Sequence, residues 1–170
     1  MTTKCISSGI IGASGDLICQ YLQYSAKEQA TDVNNDNSTT TNISIDWHRT
    51  GRFFLMGSLW VAPVTNYWYT LLSTRLVPGK TTFKRVARRL VLDQFVFAPL
   101  FAPSFMGLLW LMEGKAMDDI VKDLAEVAGD IIVTGWVLWI PAMSINFSVI
   151  PLKFQVLFGN VVALAWNVYL

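Results

Sequence analysis

Four long apolar runs constrain the fold of this chain more than any other feature of its sequence. They cover residues 5–22, 53–72, 90–112 and 131–170. The hydrocarbon core of a bilayer is about 30 Å thick and takes about 20 apolar residues of helix to cross. Because lipid offers no hydrogen-bond partner, the backbone of such a segment has to pair within itself, as a helix does. The pattern predicts an all-α integral membrane bundle of about four transmembrane helices.

The small share of charged residues also indicates a membrane protein. Of the 170 residues, 53% are hydrophobic and 15% are charged, whereas a soluble domain usually carries about 25% charged residues. The polar surface is therefore too small to cover a soluble core. Cys5 and Cys19 lie in the first run without CxxC or His/Cys spacing. We expect buried thiols, no disulfide framework, no metal site and no cofactor.

Three polar segments separate the runs within a single predicted membrane domain, residues 1–170. Residues 25–46 lack apolar periodicity and are predicted to form a flexible loop. Residues 73–89 form a loop with six basic residues and no acid, and residues 113–130 carry six acids and two lysines. The apolar residues of the acidic segment recur at helical spacing, which predicts an interfacial amphipathic helix.

The basic loop predicts the orientation in the membrane. Four spans place both termini and residues 73–89 on the same side. Loops that stay on the inner side carry the excess of Lys and Arg, so we expect this face to meet the cytosol or the mitochondrial matrix. The run at residues 131–170 is twice as long as one span. Pro151 and Lys153 mark a division between two membrane segments there.

Prolines lie deep inside the apolar runs. Proline lacks the backbone donor and its ring clashes with the preceding turn, so we expect proline-broken or kinked spans. In "WIPAMSINFSVIP" two prolines bracket a break or bend, and Asn146 between them is expected to turn toward the bundle interior. The predicted helix breaks are at Pro63, Pro99, Pro141 and Pro151.

Polar side chains inside the runs are costly in hydrocarbon and are expected to face the bundle interior, a partner group or water. Either they bond neighbouring helices and fix the packing, or they line a hydrated path on which Asp93 and Gln94 face Asn146. Their number favours the path. The polar set comprises Asp16, Gln20, Asn66, Asp93, Gln94, Asn146, Gln155 and Asn160. A face of small side chains on the first span, which predicts close helix packing, comprises Ser8, Gly12 and Gly15.

Motifs of soluble enzymes are absent, and we expect no catalytic residues. "VPGKTT" contains the Gly-Lys-Thr of a phosphate-binding loop, but Thr74 stands where that motif requires its first glycine. His48 is the single histidine and lies in a loop without a second ligand or a triad partner. Because no aromatic residues interleave the basic loop, it indicates orientation at a membrane surface and not nucleic-acid binding.

Several motifs, in this order along nearly the whole chain, resemble the Mpv-seventeen and peroxisomal membrane protein twenty-two family of small organelle membrane proteins. "GDLICQ" is similar to the Gly-Asp pair and glutamine of the family's first span, and "APVTNYWYTLL" to its Gly-Pro-x-x-His-x-Trp-Tyr motif. "LVPGKTTFKRVARRLVLDQFVFAP" resembles its Pro-Gly turn, basic helix and Asp-Gln…Pro element. "WIPAMSINFSVIP" resembles its Trp…Pro…Asn-Phe…Pro signature, and "AWNVYL" its usual ending.

The chain departs from this family pattern at several positions. Ala62 and Asn66 replace the usual Gly and His, and Gln155 stands where most members have an arginine that could pair with a membrane carboxylate. The resemblance implies an integral protein of the mitochondrial inner membrane or, alternatively, of the peroxisomal membrane. It also implies a small, weakly selective pore for metabolites that is linked to organelle nucleotide balance.

Two classes of function follow from the sequence. The leading hypothesis is a channel for small solutes, formed in the lipid bilayer by the bundle alone or by a homo-oligomer. The rival is a non-conducting scaffold that recruits soluble partners through residues 73–89. Asn37 and Asn42 begin glycosylation motifs in the loop opposite the basic side. Because the resemblance implies direct organelle targeting, we expect both to be unmodified.

Overall fold

The computed structural model of the chain describes residues 2–33 and 44–169. Regular structure in these residues is entirely helical. Asn37 and Asn42 lie outside the described residues. Five helices follow one another in the described part of the chain. They are α1 (Thr2–Val33), α2 (residues 47–76), α3 (Phe83–Met112), α4 (Met117–Ser148) and α5 (Leu152–Tyr169).

The second and third helices are continuous, but parts of them widen into π-helical turns. In α2, the α-helical segments Trp47–Leu55 and Ala62–Leu71 are followed by π-helical turns at Met56–Val61 and Leu72–Leu76. In α3, the π-helical turn Asp93–Phe97 separates Phe83–Leu92 from Ala98–Met112.

Two prolines directly follow these widened turns, and neither ends its helix. Before Pro63, the N–H of Ala62 bonds to the carbonyl of Gly57, and the N–H of the residue before Pro99 reaches five residues back in the same way. A proline ring clashes with the carbonyl four residues before it. The wider turn gives the ring room while the helix continues. The breaks predicted at these two prolines are π-helical widenings of continuous helices.

The prolines of the C-terminal half differ in their effect. α4 runs through Pro141 to Ser148 without interruption, so the chain is not broken at that proline. The chain leaves the helix at residues 149–151, and α5 begins directly after Pro151. A proline at a helix start is tolerated because the first N–H groups of a helix have no intrahelical partner. The run at residues 131–170 is therefore divided between two helices.

Helix covers much of what was predicted as loop. α1 extends through the first part of residues 25–46, where Ala, Lys, Glu and Gln favour helix. Of residues 73–89, only 77–82 lie outside helix, because "FKRVARR" combines good helix formers with amphipathic spacing. The acidic residues 113–130 do not form a separate helix, since α4 begins at Met117 and continues into the next apolar run.

Each helix is antiparallel to the one before it. The pairs that establish this are Lys4 with Asn66 and Asp16 with Thr50, Trp68 with Asp93, Phe95 with Trp136, and Asn146 with Gln155. The order places Thr2 and Tyr169 at opposite ends of the bundle, whereas the sequence predicted both termini on one face. The difference arises because the division near Pro151, which the sequence also predicts, adds a fifth helix to the four counted for the orientation. The N-terminus and the basic connection at residues 77–82 share an end.

The exterior of the bundle is apolar. Among the described helices, α3 and α4 are long and apolar enough to cross a membrane, and α5 contains a shorter apolar helix, Leu152–Trp166. The number of four spans stays a prediction. Only 6% of the apolar window of α3 is buried, and Leu59, Leu100 and Val137 are more than two thirds exposed. An apolar exterior of this extent suits lipid and not water.

A cluster of buried apolar side chains lies inside the bundle, near the end that carries residues 77–82. It joins three helices, and the ring of Tyr69 meets that of Phe147 edge to face at 5.7 Å between centroids. The cluster comprises Tyr69 and Leu72 of α2, Met143 and Phe147 of α4, and Val156 of α5. This core sets the positions of the polar side chains around it.

Candidate functional site

Small residues allow α1 and α2 to approach so closely that no side chain fits between their backbones. A Cβ atom added to Gly12 would lie 2.9 Å from the carbonyl oxygen of Phe53, and one added to Gly57 would lie 2.5 Å from that of Ser8. Ser8 and Gly12 of the predicted small-residue face therefore lie against α2. Gly15, the third member of that face, is buried.

Asp16 lies in a hydrogen-bonded network at one end of the α1–α2 pair. One carboxylate oxygen accepts hydrogen bonds from the Thr50 hydroxyl and the Gln20 amide, both at 2.7 Å. The other oxygen lies 2.6 Å from Arg49 Nε. The Gln20 side chain also accepts a bond from the backbone N–H of Asp46 at 2.8 Å. The buried charge of Asp16 is thus met by a cation and two neutral donors.

Arg49 is a partner that the sequence did not reveal. Arg49 precedes the second apolar run. The one feature of the sequence that could have indicated its place is the helix start "DWHRTGR". Asp46 is the N-cap of α2, and its carboxylate accepts a bond from the Arg49 N–H at 3.0 Å. This bond lowers the pKa of Asp46 below its usual range. A cap at Asp46 fixes where the helix begins, and so places Arg49 and Thr50 beside α1.

Asp93 is buried without a basic partner in the part of the chain that the structure describes. Its two carboxylate oxygens accept hydrogen bonds from Trp68 Nε1 and Gln94 Nε2, each at 2.8 Å. Arg89, one turn earlier on α3, instead donates from Nη2 to the carbonyl of Val77 at 2.9 Å. Neutral donors alone therefore hold the Asp93 carboxyl group.

Asn146 is fully buried on α4 and faces the bundle interior. Its amide nitrogen lies 3.4 Å from the sulfur of Met143. Gln155 Nε2 donates to the carbonyls of Asn146 at 3.3 Å and Ile150 at 3.1 Å. The last carbonyls of a helix have no intrahelical donor. Gln155, at the position of the family's arginine, therefore closes the end of α4 and brings no charge to a carboxylate.

Two further polar pairs join α1 to its neighbours. Lys4 Nζ donates to Asn66 Oδ1 of α2 at 2.6 Å. The side-chain amide of Asn160 on α5 donates to the hydroxyl of Ser8. Such bonds between helices fix their packing. For Asn66 and Asn160, the contacts favour the packing role over a place on a hydrated path.

Three other residues considered in the sequence lie away from these networks. His48 is exposed in the first turn of α2. Cys5 and Cys19 lie on α1 and are not joined by a disulfide bond. Both are only half-buried and not buried as expected, because the helix turns them partly outward.

The predicted polar residues form two groups. Trp68 and Tyr69 are adjacent on α2: Trp68 bonds to Asp93, and the Tyr69 hydroxyl lies 3.6 Å from the sulfur of Met143, which also contacts Asn146. Asp93 of α3 and Asn146 of α4 therefore lie at the same height along α2, near Trp68 and Tyr69. Asp16 lies elsewhere, since its partner on α2 is 18 residues before Trp68, about 27 Å along a helix.

Two buried acceptors at this level have no hydrogen-bond partner among the described residues, namely Gln94 Oε1 and Asn146 Oδ1. An unpaired buried polar group costs about 1–3 kcal/mol. Native buried polar atoms are therefore usually paired with protein or with water. We name Asp93, Gln94 and Asn146 the central polar group. Its three side chains present acceptor oxygens in the interior of the bundle, beside the apolar cluster.

Comparison with known proteins relates the chain to one family. The sequence model of the Mpv17 / PMP22 family matches residues 110–170. Protein sym-1 of Neurospora crassa is 31% identical over 170 residues, covering 100% of this chain and 89% of that protein. Mitochondrial inner membrane protein Mpv17 of Drosophila melanogaster is 34% identical over 125 residues, 74% of each chain. Peroxisomal membrane protein 2 of Bos taurus is 29% identical over 168 residues, covering 99% of this chain and 80% of that protein. No solved structure matches the chain.

Proposed function

Since the chain belongs to the Mpv17 / PMP22 family, we propose that it is an integral protein of an organelle membrane that forms a weakly selective pore for small metabolites. Relatives are named for the mitochondrial inner membrane and for the peroxisomal membrane. We propose the mitochondrial inner membrane as its location, with the peroxisomal membrane as the alternative, because relatives named for both membranes are similar to the chain. The proposed role is transport and not catalysis.

The observation that carries this proposal is the central polar group. An ionisable side chain inside a membrane protein is costly and normally marks a path for solute, ion or proton. The Asp93 carboxyl group has only the neutral donors Trp68 and Gln94. The unpaired oxygens of Gln94 and Asn146 lie at the same level of the bundle. An ordered water makes about three hydrogen bonds to buried polar groups, so water inside the bundle would supply the donors that the oxygens of Gln94 and Asn146 lack.

The elements around this group suit a path that opens and closes. Asp93 begins the π-helical turn of α3, and π-helical turns occur frequently at functional sites. Trp68 stacks on Phe97 at 4.9 Å between centroids, next to its bond with Asp93. Rotation of this indole would uncover the carboxylate, so Trp68 is placed to control access. The path lies in one bundle or between copies of it.

Solute flux into liposomes with purified protein tests the proposal. Flux of small metabolites should depend on protein and fall about tenfold in Asp93→Asn, the factor that a barrier rise of about 1.4 kcal/mol gives. The substitution keeps the shape of the side chain and removes its charge. Asp119→Asn is the matched control, because that carboxylate is exposed on α4, and its flux should equal that of the unchanged protein.

The rival function predicts a different outcome. The basic residues at the 77–82 end include exposed cations with no acid in the segment, which is the surface that a scaffold for soluble partners would use. Liposomes that stay silent to every solute, over a wide range of voltage and pH, would favour the scaffold. In that case the central polar group would serve packing alone.

A further inference from the structure

A shallow groove lies where α2 ends and α3 begins. Its volume is about 410 Å³, within the range of about 300–1,000 Å³ that is usual for small-ligand sites. Leu76 is 48% exposed and Val91 54% exposed, so apolar side chains line it from both helices. The lining residues are Leu76, Val77, Ala87, Arg88, Val91 and Leu92. The groove therefore combines an apolar surface with the positive charge of Arg88.

Several cations lie close to the groove along the chain. Lys84 and Arg88 are exposed and lie one turn apart on α3, on the side that carries Ala87 and Val91. Between Ser73 and Leu92 the sequence contains no acid. The exposed cations, none of which forms an ion pair within the described ranges, are Arg75, Lys80, Lys84 and Arg88.

The other two basic residues of this segment are already engaged. Arg85 Nη1 donates to the carbonyl of Lys80 at 2.8 Å, and the buried Arg89 donates to that of Val77. These bonds fold the connection at residues 77–82 over the start of α3. Neither bond involves the side chain of Lys84 or Arg88.

The start of α3 adds positive charge to the same place. Thr82 is the N-cap residue, but its side chain does not bond to the N–H groups of the first turn. Helices usually carry acidic residues in the first turn, where the dipole is positive. α3 has no acid there and carries Lys84 and Arg85 instead. An anion at this point would stabilise an arrangement that is otherwise unfavourable.

We propose that this groove binds an anionic glycerophospholipid. An acyl chain lies against Leu76, Val91 and Leu92, and the phosphate meets Lys84, Arg88 and the start of α3. Basic pockets between membrane helices on the inner side bind anionic headgroups in this way. A free phosphate would use the cations but leave the apolar part of the groove unused. The inference does not depend on whether the bundle conducts.

Native mass spectrometry tests this in detergent titrated with dioleoyl phosphatidylglycerol, with dioleoyl phosphatidylcholine as the neutral reference. The anionic lipid should be retained more strongly. Lys84→Gln and Arg88→Gln should each weaken its binding about fivefold, because a basic residue near an anionic surface contributes about 1 kcal/mol. Lys122→Gln is the matched control, since that lysine is exposed near the opposite end of the bundle, and its binding should not change.

A groove-filling substitution separates the lipid from a free anion. Ala87→Phe keeps every cation and occupies the groove, so it should weaken phosphatidylglycerol binding as much as Arg88→Gln does. Ala87→Leu is the milder version if the larger residue disturbs the far-UV circular dichroism. Equal retention of the two lipids would overturn the proposal. So would binding that the Ala87 variants leave intact while inorganic phosphate displaces the lipid, because the ligand would then be a free anion.

Discussion

Arg49 compensates the buried charge of Asp16, so removing it leaves a carboxylate without a cation. We expect Arg49→Ala to lower the free energy of unfolding by about 3 kcal/mol, at the low end for such pairs because the arginine side chain is 31% exposed. Adding Asp16→Asn should recover part of the loss, since an amide needs no cation. Chemical unfolding of the purified protein in detergent measures both.

The control for this pair is Lys122→Ala, an exposed cation whose removal should change stability by less than about 0.5 kcal/mol. If the losses from Arg49→Ala and Asp16→Asn simply add, the two side chains are not coupled. That result would contradict the compensation described for Asp16.

For individual side chains, the sequence identifies the polar groups but not their partners. Asp16 and Asp93 stand out as carboxylates within apolar runs. Arg49 becomes the neighbour of Asp16 only because α1 and α2 pair antiparallel and Asp46 sets the start of α2. Gln155 is equally instructive: its loss of the family's charge is visible in the sequence, but its bonds to the end of α4 depend on the turn at residues 149–151. Both sets of contacts depend on tertiary structure, which the sequence pattern does not give.

At the scale of elements, the contact between α1 and α2 depends on glycine. A Cβ at Gly57 would lie 2.5 Å from the carbonyl oxygen of Ser8, a backbone atom that cannot move aside. We expect Gly57→Ala to lower the free energy of unfolding by about 1–3 kcal/mol, the usual cost of overpacking. Unfolding in detergent measures this.

Gly51 provides the matched control on the same helix. A Cβ there would meet nothing within 4 Å, so Gly51→Ala should raise stability by about 0.5–1 kcal/mol through helix propensity alone. Equal effects at the two glycines would show that α1 and α2 are not in close contact.

The all-helical class was predictable from the apolar runs, but the extent and the continuity of the helices were not. Proline chemistry predicts breaks at Pro63 and Pro99, but the structure has π-helical turns there within continuous helices. Pro141 lies within an uninterrupted α4, so the presence of a proline alone does not predict how the helix responds.

At the scale of the whole molecule, the two ends of the chain lie at opposite ends of the bundle. The difference from a four-span arrangement rests on the turn at residues 149–151. Tags fused to the N-terminus and the C-terminus should therefore respond differently to a protease added to sealed organelles. We expect one tag to be removed and the other to be protected. Removal of both from the same side would contradict the antiparallel order of five helices.

The glycosylation motifs provide a test of the compartment. Asn37 and Asn42 head glycosylation motifs, and a protein delivered directly to a mitochondrion or peroxisome does not meet the enzymes that modify them. We expect glycosidase treatment of the protein from cells to leave its mass unchanged. A loss of mass would exclude both organelle assignments, and Asn37→Gln with Asn42→Gln would identify the modified position.

We propose that water reaches the central polar group through the bundle, and thiol labelling at position 146 tests this. Cys5 and Cys19 are first replaced by serine, and Asn146→Cys and Val156→Cys are compared in liposomes. Both positions are buried, but only the first belongs to the polar group. We predict that a small water-soluble thiol reagent labels position 146 and reduces solute flux, while position 156 stays unlabelled. A position 146 that stays unlabelled while flux is normal would contradict the claim.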